Sequence, residues 1–437
     1  MKSVLPLPFV IKCPSFVSKT IPVHGFDISD VRDTYRLHRG LKNIGVDSQM
    51  LVQNKQSYNY TVIFPASKLG KGLDKLKPTL DILPLQLYPQ RDRTTYSVQW
   101  LPDNLVAQVD KINPDVINLH WINGGYLKIE TIAKFNKPII WTLHDMWAFT
   151  GGCHYNGDCI NYTNSCGACP QLHSHKEKDL SRWIWQRKTK AWQDLNLTIV
   201  TPSHWLAKCA ASSSLLKDMR IEVIPNGLDT KQYKPIQKSV ARSILGLPED
   251  KQLILFGAIN STSDPRKGFQ LLQAALQNLG QAGWKERVEL VVFGASEPNN
   301  PPELGFKSHY LGRLNDDISL SLVYAAADVF IAPSLQDNLP NTVMESLACG
   351  TPCVAFDIGG MCDMIQHEQN GYLAKPFDVD DLARGIAWVL EDKDKERWLS
   401  LSQRGREKVN NDFTLKAQAE KYINLYRSLF ANKNRRC

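Results

Sequence analysis

The stretch Ile331 to Phe356, IAPSLQDNLPNTVMESLACGTPCVAF, constrains the fold more than any other part of the chain. It reads as strand, loop, helix, strand. Ala325–Ala332 is mostly apolar and Ser334–Asn338 is polar. Pro340 stands where the first turn of a helix accepts a proline, with Asn338 or Asn341 as the expected cap. Leu339, Val343, Met344, Leu347 and Ala348 recur at the spacing of one helical face. Gly350 stops the helix, Pro352 prevents its restart, and Cys353–Phe356 is apolar enough for a buried parallel strand. A helix that begins directly after a strand aims unpaired N–H groups and a partial positive charge at the strand's carboxyl end, where a phosphate fits. Two acids, Asp337 and Glu345, bracket that start with seven residues between them. Carboxylates repel phosphate, so they suit the neutral hydroxyls of a bound nucleotide sugar. A helix with surface acids and a good cap is the plain alternative, since such units are common in doubly wound sheets.

The acid–seven–acid motif, continued through Ala348-Cys349-Gly350-Thr351-Pro352 to Gly359-Gly360, resembles that of the family-4 retaining glycosyltransferases of the GT-B fold. The resemblance spans most of the chain and includes Asn370-Gly371-Tyr372-Leu373. The first acid of that family is usually Glu; here it is Asp337, one methylene shorter. The resemblance implies an α/β, GT-B architecture: two Rossmann-like doubly wound domains facing across a cleft. It places an acceptor-side domain at 1–225, a nucleotide-sugar domain at 226–412, and a final helix in 413–437 that crosses back to the first domain. The 437 residues are enough for two to three ordinary domains.

Several residues take expected roles. The loop Asn260–Gly268 follows the strand Gln252–Gly257 and carries Arg266 and Lys267. Arginine offers a planar fork and lysine a mobile point charge, so the pair suits a diphosphate. On a loop such a pair is more often solvated; its match to the family's Arg and Lys-Gly makes it the diphosphate clamp. Asp337, Asn338, Leu339, Pro340, Asn341 and Glu345 complete the donor set, with Glu345 assigned to the ribose and Asp337 to the sugar hydroxyls. Two apolar strands end in histidine, one at His120-Trp121 and one at His144-Asp145. Ligands of open α/β sheets bind at that carboxyl edge. By resemblance, His144 is the histidine beside the reacting sugar and acceptor, Asp145 orients it or binds an acceptor hydroxyl, and His120 and Trp121 lie on the acceptor side. The catalytic set is thus His144, Asp145, Arg266, Lys267 and Asp337. The glycine-rich loop expected after the first strand is replaced by Gly25-Phe26-Asp27-Ile28-Ser29-Asp30, which has no glycine pair.

The region 151–175 holds Cys153, Cys159, Cys166 and Cys169, spaced C-x5-C-x6-C-x2-C. The last pair has the turn of structural zinc sites. A four-cysteine zinc site, free thiols or disulfides, and an iron–sulfur cluster all remain open; a metal held by four thiolates would be structural. Trp183, Trp185 and Trp192 fall on a predicted helix, Arg182–Leu195, where core packing is favoured over stacking on a ligand. Further helices are predicted over Gln99–Val109, Asp316–Ala327, Asp378–Leu390 and Phe413–Leu429.

Net charge is only +8, with no dominating run of Lys or Arg, which argues against a nucleic-acid partner. A polyanionic donor or an anionic membrane surface fits it equally. No run approaches the roughly 20 apolar residues of a membrane span. Ten cysteines scattered through a large chain suit reduced thiols, hence a cytoplasmic protein, at the inner face of the membrane if its acceptor is lipid-linked. The expected activity is retaining transfer of a hexosyl unit from a UDP- or GDP-linked sugar to a glycan or lipid-linked glycan hydroxyl, with no cofactor required for catalysis. The alternative is a non-catalytic nucleotide-sugar or glycan-binding protein derived from such an enzyme. An epimerase or phosphorylase of the same fold fits the motif order less well.

Overall fold

The computed structural model describes residues 19–24, 32–53, 61–63, 68–257, 264–294, 304–314, 316–391 and 395–431. The loop Gly25–Asp30, positions 260–263 of the basic loop, positions 297–303 and the tail residues Lys433, Arg435 and Arg436 lie outside the described residues.

Two parallel sheets organise the chain. The first is built from β1 (Lys19–His24), β2 (Asp47–Ser48), β3 (Met50–Val52), β4 (Val62–Ile63), β5 (Val116–Leu119), β6 (Ile139–Thr142), β7 (Leu197–Thr201) and β8 (Arg220–Val223). Its order is β4-β3-β1-β5-β6-β7-β8, with β2 also paired to β1. The second holds β9 (Gln252–Gly257), β10 (Val288–Phe293), β11 (Ser308–Tyr310), β12 (Val329–Ala332), β13 (Cys353–Phe356) and β14 (Gly371–Ala374), in the order β11-β10-β9-β12-β13-β14. Strands β5, β6, β7, β10, β12 and β13 are buried at every residue. Helices cover both faces of such a sheet, so these strands read as mostly apolar runs, interrupted by Asn118, Thr142, Thr198, Thr201 and Glu289, and not as alternating ones. The strand order of the second sheet reverses between β9 and β12. A crevice therefore opens at their carboxyl ends, where the loops carrying Arg266-Lys267 and Asp337 emerge.

The helix after β12 spans Asn341–Ala348, and its face Val343, Met344, Leu347 and Ala348 is buried. Pro340 occupies the cap position and no side chain caps the helix, contrary to the cap expected from Asn338 or Asn341; both amides are engaged elsewhere. Gly350 ends it with φ +82°. Gly268 has φ +69°, and a Cβ there would stand 1.8 Å from the Pro333 carbonyl oxygen, so the loops after β9 and β12 touch only because it is glycine.

The expected Gln99–Val109 helix is shorter, Leu105–Ile112. Gln99 is not helical: it has φ 54°, and its buried amide bonds the Ile122 and Leu127 carbonyls and the Gly125 N–H. Trp192 packs in the core against Trp141 at 5.1 Å and Trp147 at 6.4 Å between ring centroids. Trp185 donates to Ser214 Oγ, and Trp183 lies under the Arg187 guanidinium. The last helix, Leu415–Ala431, sets Ala419, Tyr422, Leu425 and Tyr426 against Leu37, Leu41, Ile140 and Val200 of the first sheet's layer. Among the described residues no helix is long and apolar enough to cross a membrane.

Candidate active site

A cleft of about 2100 Å³ separates the carboxyl edges of the two sheets, lined by Asp33, Trp121, His144 and Asp145 on one side and Arg266 and Gln336 on the other, among others. On the first side, β5 and β6 are neighbours with Leu119 opposite Trp141, so the residues that follow them emerge together. His120 Nδ1 accordingly lies 3.0 Å from His144 Nε2. His144 Nδ1 is 3.9 Å from Asp33 Oδ2. Burial pulls the His144 imidazole below its ordinary pKa, against the opposing charges of Asp33 and Asp145.

Asp145, expected to orient His144 or to bind an acceptor hydroxyl, is engaged by three other donors. Its Oδ2 accepts from His154 Nδ1 at 2.7 Å and from Trp121 Nε1 at 3.1 Å, and its Oδ1 from the Trp147 N–H at 2.8 Å. Burial pushes this carboxyl up, but His154 and these donors together hold it below the usual range. His154, buried with its Nε2 2.9 Å from Ser97 Oγ, is a site residue that sequence reasoning passed over. Its signal was present in His154 standing beside the first cysteine of the loop, but a loop histidine has no period to mark it.

On the second side the turn Pro265–Lys267 is started by Asp264, whose carboxylate accepts the Arg266 N–H at 3.0 Å. The Arg266 guanidinium bonds the Gln336 carbonyl at 2.9 Å, lies 3.5 Å from Asp337, and covers the Tyr155 ring at 4.4 Å. Lys267 Nζ donates to Asp337 Oδ2 at 2.7 Å. Burial alone would raise the Asp337 carboxyl, but Lys267 and Arg266 bring it below its usual value. The two cations singled out in the sequence stand together on two carboxylates, Lys267 on Asp337 and Arg266 on both Asp337 and Asp264, the latter at 3.2 Å. Lys267 and Asp337 sit behind the cleft lining, one contact from Arg266.

Asn338 joins the two sides: its Nδ2 donates to the His144 carbonyl at 3.1 Å and its Oδ1 accepts from Ser203 Oγ at 2.6 Å. Asn341 Nδ2 donates to Asp33 Oδ1 at 2.7 Å. Leu339 is buried and Pro340 begins the helix. Glu345 departs from its expected place. It is 2% exposed and absent from the cleft wall. Its Oε1 accepts from Arg36 Nη2 at 2.7 Å and its Oε2 from the Tyr324 hydroxyl at 3.0 Å. Arg36 reaches it from the helix Arg32–Asn43 of the first domain, 309 positions away in sequence, which is why no local pattern announced the pair. The Arg36 Nη1 is buried without a hydrogen-bond partner among the described residues.

Cys153, Cys159, Cys166 and Cys169 are free thiols that line one small cavity of about 20 Å³. As they stand, no group of three histidine, cysteine or acidic side chains among the described residues is arranged to hold a metal ion.

The family model described as Glycosyltransferase Family 4 matches residues 34–232, and that described as Glycosyl transferases group 1 matches residues 250–392. Each falls on one of the two sheets. The chain belongs to the GT-B glycosyltransferases. The UDP-Gal:alpha-D-GlcNAc-diphosphoundecaprenol alpha-1,3-galactosyltransferase of Escherichia coli is 26% identical to this glycosyltransferase over 225 residues, 49% of this chain and 56% of that one. The chain spans about half the length of the first curated relatives it matches. Among solved structures, the sucrose-phosphate synthase of Thermosynechococcus elongatus superposes with a TM-score of 0.65 at 20% identity, over 95% of this chain and 100% of that chain. HepE of Anabaena in complex with UDP and glucose gives 0.61 at 16% identity, over 94% and 99%. Both likenesses concern the fold.

Proposed function

We propose that this glycosyltransferase moves a hexosyl unit from a UDP- or GDP-linked sugar to a hydroxyl of a glycan or lipid-linked glycan, with retention of configuration. The observation that carries the reading is Arg266 at the reversal point of the second sheet, across the cleft from His144 and Asp33, with Lys267 and Asp337 behind it. Lys267 rests on Asp337, and Arg266 on Asp264 at 3.2 Å and Asp337 at 3.5 Å; a diphosphate would replace Asp337 as their shared partner. On donor entry the phosphates take over Arg266 and Lys267, and Asp337 turns to the sugar hydroxyls. The charge that grows on the leaving diphosphate is then met by the two cations, preorganised and away from bulk water. His144, held neutral by burial and placed by His120, contacts the sugar and acceptor from the opposite wall. The departing phosphate oxygen takes the acceptor proton. A lipid-linked acceptor would bring the protein to the inner face of the membrane.

The test is a thermal-shift screen with UDP, GDP and a panel of their sugars, followed by donor turnover with and without cell-envelope extract. One nucleotide class should stabilise the fold, by about 2.7 kcal/mol at a hundredfold excess over its Kd, and transfer should require the extract. Stabilisation without turnover in either condition would favour a nucleotide-sugar-binding protein. No shift with any nucleotide would overturn both.

A further inference from the structure

We propose that Cys153, Cys159, Cys166 and Cys169 bind one zinc ion as a closed, structural tetrathiolate site that fixes the wall of the cleft. The inference does not depend on which sugar or acceptor is used. All four cysteines border the same cavity, and its volume of about 20 Å³ admits a single ion or water and nothing larger. The segment between the last two cysteines is built into an unfavourable backbone shape. Cys166, Gly167 and Ala168 have φ of 47°, 104° and 43°, three successive residues in a region that residues with a side chain rarely enter. That turn brings Cys166 and Cys169 to the border of the same cavity.

The surroundings hold the turn in place. Arg182 Nε donates to the Cys166 carbonyl at 2.8 Å, Ser181 Oγ accepts the Gly167 N–H at 2.9 Å, and Asp179 accepts the Cys169 N–H at 2.8 Å.

A second observation is independent of the cysteines. Lys188 is fully buried, with its ammonium against the Trp147 ring and donating to the Trp147 and Thr150 carbonyls. Among the described residues it forms no ion pair with a carboxylate. A buried cation needs a counter-charge. Zinc with four thiolates carries two net negative charges, and Lys188 offsets one of them. Binding releases the thiol protons to solvent and draws the sulfurs in to about 2.3 Å from the metal. Four thiolates leave no open position, so the ion organises the loop and does no chemistry. The loop in turn supplies His154, Tyr155, Asn156 and Gln171 to the cleft wall.

The test uses the full chain, purified without chelator or a histidine tag. Elemental analysis should give about one zinc per chain. An organomercurial titration should release it as four thiols react. Cys159→Ser and Cys166→Ser should lose the metal, and Cys362→Ser, an exposed cysteine outside the loop, should retain it. If the loop variants do not fold, the mercurial titration of the unaltered chain decides. Chain that stays metal-free after incubation with zinc salt, with its thiols reactive or joined as disulfides, would overturn the proposal, as would iron at the site.

Discussion

At the residue scale, Lys267 matters because it holds one of the few charges arranged before the donor arrives. Its 2.7 Å contact with Asp337 keeps the ammonium in place behind the cleft. Lys267→Ala should lower turnover by roughly a hundredfold or more with the fold intact, the scale of losing one preorganised electrostatic contact; steady-state kinetics beside a circular-dichroism spectrum would show it, and near-normal turnover would remove Lys267 from the clamp. A different buried residue sets how the fold meets acid. His38 is enclosed between Ser48 Oγ at 2.8 Å and Thr61 Oγ1 at 2.9 Å. Burial, helped by the charge of Lys42, holds it down to about 4. In the unfolded chain it titrates near 6.5. Between those values the unfolded chain takes a proton that the folded one refuses, so stability is full above the upper value and falls as pH drops toward the lower one, by at most about 3 kcal/mol. Urea unfolding at pH 7 and pH 4.5 should show a smaller loss for His38→Gln than for the unaltered chain; equal losses would refute the assignment. The residues legible in sequence were those joined by short spacing, Arg266 to Lys267 and Asp337 to Glu345. His154 and Arg36 were not, because each acquires its meaning from a partner that only the folded chain supplies.

At the element scale, the loops after β9, β12 and β13 converge by close backbone contact, and glycine marks where they meet. A Cβ at Gly360 would fall 1.7 Å from the Asn338 carbonyl oxygen and 2.8 Å from Ser203 Cβ, while the Gly360 N–H donates to the Asp337 carbonyl at 3.2 Å. Gly360→Ala must therefore push the Asp337–Asn338 backbone out of register with the cleft. It should cost about 1–3 kcal/mol, the usual range for overpacking, and reduce nucleotide affinity at the same time. Gly72→Ala is the contrasting case: in the helix Lys68–Asp81 an added Cβ meets nothing within 4 Å. It should stabilise by up to about 1 kcal/mol through helix propensity alone, and thermal unfolding of the two variants separates contact from propensity. The same contrast explains what could be read at this scale. Strands β5, β6, β7, β12 and β13 declared themselves because burial on both faces makes them predominantly apolar. β1 did not: it lies between β3 and β5, yet carries a proline at position 22, a residue that ordinarily argues against a central strand.

At the scale of the whole molecule, the cleft is spanned by a few polar bonds, of which the buried Arg36–Glu345 pair is the most consequential. Asn338, Asn341 and Gln336 also cross it, to the His144 carbonyl, Asp33 and Asn156. These are partly wet and individually replaceable. Arg36 and Glu345 are not, because each is buried: removing Arg36 strands the Glu345 charge, and removing Glu345 leaves Arg36 only Asp317 at 4.0 Å, at a cost of about 3–5 kcal/mol. The pair thus acts as a latch between the domains and occupies the acid that the family motif assigns to the ribose. Both roles predict that Glu345→Ala weakens nucleotide binding, so that variant alone cannot separate them. The double variant Arg36→Met/Glu345→Leu can. Replacing both charges by apolar groups of similar volume should restore most of the stability lost in either single variant. If Glu345 exchanges Arg36 for the ribose hydroxyls when the donor arrives, nucleotide affinity should stay low in the double variant even as its melting temperature returns. Calorimetric titration beside thermal unfolding measures the two quantities on the same samples; affinity that recovers together with stability would make Glu345 a latch and leave the ribose to the backbone around the cleft.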